Sequence, residues 1–483
     1  MSGHAFYKWL RAVRIGYLRW MNSHLPKSAV LILIAFVLGV LTGCAAAILK
    51  DLVDLFHKLA ETGIKIDRPD YRLLVLPLAG ILITSVYQRY VLRGNVARGT
   101  RIIRQDLDSG RFRMKPSVIF GPVIGCAFTM GFGATGGTEG PIALSGSAIG
   151  SNIGRWFGLS RQWLRILIGI GAGAGISAIF KAPIGGVLFT LEVLQMELFT
   201  LPVIALVLAC LVSSAVALLL SDFTFDIYFA NVMPIDPARI GWVMLLGLLC
   251  GLYSIYYSYT KKKGIALFTS IRNPWTGAVV TGLTLSVFVF MFPVLFGEGF
   301  GVITALVNGR PVSFTASGLF AGHGGDVWMI VSVVAVLALK GFLVSASYSN
   351  GGVAGDFVPT LFAGAFLGFL FATLCDRLFG IHLPVWYFAL IGMGAVMAGT
   401  IHAPLMAIFI MCETTNTFIY FFPYLIAIGV CYATVKIITP KSWYEETRHD
   451  DLIALFKLRE TPTLPGKMPA DVRNEDKRPR DRK

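Results

Sequence analysis

Long apolar stretches recur along the chain and are separated by short polar segments. An apolar stretch of about 18 residues is long enough to cross a hydrocarbon core of ~30 Å. None of these stretches shows the strict alternation of a membrane β-strand. The pattern therefore predicts an all-α polytopic membrane protein. The candidate segments are Ala29–Leu49, Leu73–Val86, Val118–Phe132, Ile166–Ile179, Val203–Leu220, Trp242–Ile255, Ala278–Leu295, Met329–Val344, Phe357–Leu374 and Phe418–Val435.

Glycine and proline interrupt many of these stretches, as at Gly136-Gly137, Pro183, Gly351-Gly352 and Pro404. In a bilayer, a broken helix persists only where protein or a watery cavity satisfies its backbone. The prediction is therefore a fold of tilted and broken helices.

Charge is scarce and mostly positive. Only 14% of the residues are charged, against about a quarter in soluble domains, and the net charge is +15. The positive charge lies at the termini and in short loops, which is typical of positive-inside topology and not of nucleic-acid binding. We expect a basic segment over 1–27, a membrane domain over 28–455 with halves at about 28–235 and 236–455, and a disordered tail over 456–483. Both termini are expected in the cytoplasm.

Enzyme chemistry has little support in the sequence. The alternatives to a transport protein are an intramembrane hydrolase and a non-transporting receptor. A hydrolase would need a convergent set of catalytic or metal-ligating residues. The seven histidines are scattered, and the seven cysteines lie mostly singly in apolar stretches. We therefore expect no cofactor, metal site or disulfide framework.

The chain contains a weak internal repeat. Gly171 precedes Pro183 by 12 residues and Glu192 follows it by 9, and Gly392, Pro404 and Glu413 have the same spacing. A second pair of elements matches Gly136-Gly137 with Gly351-Gly352, at a similar offset. Two such pairs in the same order indicate a duplicated transport fold. The sequence leaves open whether the repeat is parallel or inverted.

The glycine-rich segments favour an anion. Gly140-Pro141 predicts a helix from about Ile142, and Val358-Pro359 predicts one from about Thr360. Free N–H groups and partial positive charge at such helix starts stabilise an anion without a buried cation. The alternative is that these glycines only allow helices to pack closely.

Glu139 adds weight to the functional interpretation. A carboxylate between apolar segments is costly unless it functions. Glu139 can occupy an anion site when it is ionised and leave the site on protonation. It is therefore a candidate gate or proton carrier.

Three ordered motifs resemble the CLC family of chloride channels and chloride/proton antiporters. GGTEGP at Gly136–Pro141 is similar to the family's G-(K/R)-E-G-P element, with Thr138 in place of the basic residue. GDFVP at Gly355–Pro359 matches G-x-F-x-P, and Tyr444 stands where the family has its anion-coordinating tyrosine. The resemblance runs from about Leu31 to Arg448.

The resemblance implies a homodimer of 18-helix subunits in a cell membrane. Because the chain resembles the short form of the family, without paired nucleotide-sensing modules, this membrane is expected to be the bacterial inner membrane. Each subunit would have two antiparallel halves and one pore for chloride or a similar small anion. Glu139 would be the gating residue. The implied anion-binding residues are Gly140, Gly355, Asp356, Phe357 and Tyr444.

The sequence departs from the family at three places. The early G-S-G-I-P element is not recognisable, and Asn95 is the nearest candidate for its chloride ligand. Val193 follows Glu192 where the antiporters carry a proton glutamate. This favours passive anion flow in a channel, with a proton-coupled antiporter as the alternative if Glu192 or Glu197 substitutes. Asp356 lies beside the anion motif, where it either turns away to cap a helix or alters the ion preference.

Glu192 and Glu413 close the two copies of the repeat. A structural role at helix ends, either capping or pairing, is the main expectation for both carboxylates.

Overall fold

The structure is a computed structural model that describes residues 26–61, 69–92, 100–110, 112–221, 236–310, 312, 318–320 and 325–440. Asn95, Tyr444, Arg448, almost all of the basic N-terminal segment and the whole C-terminal tail lie outside the described residues. The described part is helical and contains no β-strand.

The first half of the chain contains eight described α-helices. They are α1 (Lys27–Glu61), α2 (Leu76–Val86), α3 (Thr100–Asp108), α4 (Ser117–Gly131), α5 (Glu139–Trp156), α6 (Arg161–Phe180), α7 (Pro183–Leu188) and α8 (Thr200–Leu220). Wider π-helical turns extend α2 through Tyr87–Val91 and α7 through Phe189–Val193.

The second half also contains eight described α-helices. They are α9 (Ile240–Thr269), α10 (Pro274–Met291), α11 (Phe300–Val307), α12 (Asp326–Tyr348), α13 (Phe357–Phe379), α14 (Val385–Ile401), α15 (Pro404–Thr414) and α16 (Phe421–Ile438).

Nine helical segments in the described residues are long and apolar enough to cross a membrane. Other apolar helices are too short to do so, among them α4, α14 and α15. Large aliphatic side chains are exposed along the outer helices, for example Ile204 and Leu211 on α8. Such a surface fits lipid better than water. The protein is a membrane protein of long, short and broken helices, as predicted.

Glycine brings the central helices into backbone contact. On α5 and α6, a Cβ at either Gly146 or Gly171 would collide with the backbone of the other residue. Gly364 on α13 and Gly392 on α14 have the same relation. Small residues allow such approach in membranes, so close packing explains these four glycines.

The two halves repeat the same packing. In the first half α1 packs on α8 and α6, and in the second half α9 packs on α16 and α14. The halves meet in an antiparallel bridge between Gly137 and Gly355. Antiparallel pairing of equivalent segments indicates a two-fold relation between the halves, which an inverted repeat has. Gly137 therefore corresponds to Gly355, and the predicted match of Gly136-Gly137 with Gly351-Gly352 is wrong in register.

Candidate functional site

Two helix starts face each other across the Gly137–Gly355 bridge. The amide of Gly137 donates to the carbonyl of Gly355 at 3.2 Å, and the amide of Gly355 donates to the carbonyl of Gly137 at 2.6 Å. Two residues after each glycine a helix begins: α5 at Glu139 and α13 at Phe357. Both helices begin three residues earlier than the prolines predicted, because proline is tolerated throughout a first helical turn, where the N–H groups have no partner within the helix.

The carboxylate of Glu139 lies at the start of α13. One oxygen, Oε1, accepts a hydrogen bond from the amide of Phe357 at 2.5 Å. Glu139 and Phe357 are both fully buried. The other oxygen, Oε2, has no hydrogen-bond partner among the described residues. A buried carboxylate with one unsatisfied oxygen is costly, which marks this position as functional rather than structural.

Glycine makes room for this carboxylate. A Cβ at Gly137 or at Gly355 would collide with the Glu139 side chain. These two glycines therefore differ from the glycines of the helix contacts, since the group they admit is a charged side chain and not a neighbouring backbone. Gly140 is buried in the first turn of α5. The structure thus brings Glu139, Gly140, Gly355, Asp356 and Phe357 together.

Asp356 is turned toward a lysine. Its Oδ2 forms an ion pair with the Nζ of Lys261 on α9, at 2.6 Å, and the Lys261 side chain is 1% exposed. Asp356 occupies the N-cap position of α13, but its side chain makes no capping hydrogen bond. The capping role considered for Asp356 is therefore wrong. Lys261 balances a charge that would otherwise repel an anion.

A third carboxylate lies near the same helix starts. Glu298 accepts a hydrogen bond from the hydroxyl of Thr138 at 2.6 Å. Both Glu298 and Asp356 are close enough to Glu139 to repel its charge. Thr138, which stands where the CLC motif has a basic residue, thus links Glu139 to another acid instead of to a cation.

A buried lysine supports the same region. The Nζ of Lys340 on α12 donates to the hydroxyl of Thr135 at 2.6 Å and lies 3.9 Å from the centroid of the Phe362 ring. No described carboxylate pairs with Lys340, which is 1% exposed. Lys340 therefore places its amino group beside the segment that leads to Glu139 and beside the second turn of α13.

Sequence reasoning missed Lys261, Glu298 and Lys340. Lys340 carried a usable signal, because it is a single cation in the apolar stretch Met329–Val344. Lys261 belongs to a run of three lysines that resembles an ordinary interfacial anchor.

Glu192 and Glu413 cap helices of the opposite repeat. Glu192 accepts from the amides of Leu405 and Met406 at 3.2 and 2.8 Å, at the start of α15. Glu413 accepts from the amides of Ile184 and Gly185 at 3.0 and 2.8 Å, at the start of α7. Both carboxylates thus have the structural role expected of them. Val193 is buried.

Residues 79–436 match the family profile described as voltage gated chloride channel. The chain belongs to the CLC family. Members of this family are channels and transporters, and the coverage extends over most of the chain.

The names of curated CLC relatives include both chloride channels and exchange transporters. The chain is 27% identical to a putative chloride channel protein, ClcB-like, of Ralstonia nicotianae, over 80% of this chain and 88% of the relative. It is 25% identical to the H(+)/Cl(-) exchange transporter ClcA of Vibrio cholerae, over 63% of this chain and 64% of that protein.

Solved CLC structures share the fold. A slow cyanobacterial Cl−/H+ antiporter superposes with a TM-score of 0.73 at 21% identity, covering 90% of this chain and 99% of its own. A CLC-type fluoride/proton antiporter gives a TM-score of 0.70 at 22% identity, covering 86% and 97%. The architecture of inverted repeats is therefore that of the CLC fold.

Proposed function

We propose that this CLC protein carries chloride or a similar small anion across a membrane in exchange for protons, along a path that Glu139 opens and closes. The observation that carries the proposal is the hydrogen bond between the Glu139 carboxylate and the Phe357 amide. This amide is one of the free donors at the start of α13, where an anion would bind.

The carboxylate competes with the anion for the same donors. When Glu139 is ionised, it occupies the helix start and keeps an anion out. When it takes up a proton, it loses the charge that holds it there, and an anion can replace it at the amides of Asp356 and Phe357. Gly140 and Gly355 complete the described part of the proposed anion site, and Asn95 and Tyr444 remain proposed ligands outside it.

Exchange follows if one proton enters each time Glu139 leaves the site. A named exchange transporter among the curated relatives supports this mode. The antiporter structures support only the fold in which it would operate. Exchange is therefore our leading proposal, although the sequence by itself favoured passive flow.

Passive flow through a channel is the second candidate, and Val193 favours it. This buried valine cannot relay protons where the antiporters carry a glutamate. Glu192 and Glu413 do not replace it, because each carboxylate is bound by two backbone amides. Glu197 is exposed and is the remaining acidic residue proposed for this role.

The two candidates differ in liposomes loaded with chloride. If transport is coupled, an outward chloride gradient drives protons inward against their own gradient, and both fluxes can be recorded together. We expect this uphill movement in the native chain and its loss in Glu139→Ala, with chloride flux retained, because alanine cannot carry a proton. Loss of proton movement in Glu197→Gln would show that Glu197 relays protons in place of the glutamate that the antiporters carry.

Fast chloride efflux without proton movement would contradict the exchange proposal and support passive flow through a channel. Unchanged chloride flux and unchanged pH response in Glu139→Ala would remove Glu139 from the gate.

A further inference from the structure

A cavity of about 420 Å³ lies outside the proposed anion site, where several membrane helices end. It is lined by Ser85, Gln88, Arg89, Ile271, Arg272, Pro274, Trp275, Asn350 and Gly351. The candidate spans Tyr71–Val91, Pro274–Met291 and Asp326–Tyr348 all begin or end beside it. Because spans end where the hydrocarbon ends, the cavity lies at the level of the lipid headgroups.

The cavity is positively charged. Arg89 and Arg272 contribute guanidinium groups, and none of the nine lining residues is acidic. Neither arginine forms an ion pair with a described carboxylate. The Arg89 guanidinium lies over the Trp275 ring, 5.5 Å from its centroid, which orients the charge. Two arginines in one cavity, neither of them paired with a carboxylate of the described residues, favour a phosphate group, which accepts paired N–H donors.

The surface beside the cavity favours a lipid as the source of that phosphate. The Tyr90 and Trp275 rings lie 6.4 Å apart, as in the aromatic belt of a membrane interface. Exposed aliphatic side chains continue from these rings at helical spacing along α2 and α10, which pack together. They are Ile83 and Val86 on α2, and Val279, Val280 and Leu283 on α10.

One wall of the cavity is the turn that leads to the helix start at Phe357. The Gln88 side chain donates to the carbonyl of Gly351 at 2.8 Å, and the Ser85 hydroxyl donates to that of Asn350 at 3.3 Å. Asn350 and Gly351 have positive φ angles of 43° and 112°. The end of α2 therefore holds this turn in place, a few residues before Gly355.

We propose that this cavity binds the phosphate group of an anionic phospholipid, whose acyl chains lie along α2 and α10. Bound phosphate draws Arg89 and Arg272 together around the turn at Asn350 and Gly351. The lipid thereby stabilises the segment that presents the Phe357 amide. The binding part of this inference does not depend on the proposed transport function.

The test uses the purified full chain in phosphatidylcholine nanodiscs with increasing phosphatidylglycerol, and native mass spectrometry counts the bound lipid. We expect Arg89→Gln/Arg272→Gln to bind phosphatidylglycerol roughly tenfold more weakly, because charge-assisted hydrogen bonds are lost. The lysine pair Arg89→Lys/Arg272→Lys keeps the charge and should retain most of the binding. Arg161→Gln/Arg165→Gln, which removes two exposed arginines at the start of α6, is the matched control.

Several outcomes overturn the proposal. Equal binding by the native chain and the Arg89/Arg272 glutamine pair would remove the site. Displacement of the lipid by millimolar inorganic phosphate would show a soluble phosphate site and remove the lipid assignment. If the double variant does not fold, Arg272→Gln alone decides, because its side chain makes no described hydrogen bond or ion pair.

Chloride flux gives a second measurement. Phosphatidylglycerol should increase the flux of the native chain and of the Arg161/Arg165 control, but not that of the Arg89/Arg272 glutamine pair. An equal increase in chloride flux for all three chains would contradict the proposed effect of the lipid on the turn at Asn350 and Gly351. If no chain transports chloride, the transport proposal fails while the binding result stands.

Discussion

Three carboxylates and two lysines surround the facing helix starts, and their pairing decides the charge that an anion would meet. Lys261 neutralises Asp356 directly, whereas Lys340 pairs with a hydroxyl and an aromatic face. Glu139 is bound only at one oxygen among the described residues. Asp356 is likewise bound at one oxygen, but its partner is a lysine, whereas the described contact of the Glu139 carboxylate is with a backbone amide at a helix start, where an anion could take its place.

The Lys261–Asp356 pair gives a prediction at the residue scale. Lys261→Met leaves a carboxylate that is only 13% exposed without its cation, so the free energy of unfolding should fall by about 3–5 kcal/mol. Lys261→Met/Asp356→Asn removes both charges and should recover most of this loss. Unfolding of the purified chain in detergent measures both effects.

The matched control is the more exposed Arg239–Asp236 pair, with side chains 25% and 43% exposed. Arg239→Gln should lower the free energy of unfolding by less than about 1 kcal/mol. A cost for Lys261→Met no larger than that of the control would show that the Lys261–Asp356 pair contributes no more stability than an exposed pair.

At the scale of the element, the short helices α7 and α15 depend on the opposite repeat. Each begins after a residue with no side-chain cap of its own, and a distant glutamate accepts its first amides. Lys181 and His402, the residues that end α6 and α14, both adopt left-handed backbone conformations with φ angles of 54° and 63°. These equivalent turns direct the short helices back toward each other.

Removing a cap tests this dependence. Glu192→Ala and Glu413→Ala should each lower the free energy of unfolding by about 0.5–2 kcal/mol, the usual cost of losing a helix cap. The two costs should be similar because the geometry is repeated. Glu197→Ala, at an exposed position near Glu192, serves as the control and should change stability by less than about 0.5 kcal/mol. A large cost for only one of the two caps would contradict the equivalence.

At the scale of the whole molecule, the two halves are joined by reciprocal contacts. Besides the two caps, they share the Gly137–Gly355 bridge, the packing of α2 on α10 and the packing of α7 on α15. The proposed anion site also takes Glu139 from one half and Phe357 from the other. Neither half is complete without its partner.

Separate expression of the halves tests this interdependence. A chain cut between residues 221 and 236 should assemble when both pieces are co-expressed, because the joining contacts do not need a continuous backbone. Each piece alone should fail to yield monodisperse protein in detergent. Recovery of a folded single half by size-exclusion chromatography would contradict the prediction.

The sequence predicted the architecture better than the surroundings of the site. Hydropathy, the spacing of the Gly171 and Gly392 elements and the motif around Glu139 are local signals, and each can be read within a short window. The contacts of Lys261 with Asp356 and of Glu298 with Thr138 join residues 95 and 160 positions apart. Such pairs are set by the packing of tilted helices, which no local pattern encodes.

The exchange of caps between Glu192 and Glu413 also constrains the origin of the fold. Consider a half-length ancestor with one such glutamate and one short helix. If its glutamate reached the equivalent helix of a second chain in a two-fold pair, both chains would be capped in the same step. Reciprocal caps within one polypeptide are the arrangement that duplication and fusion of such a two-fold dimer would produce.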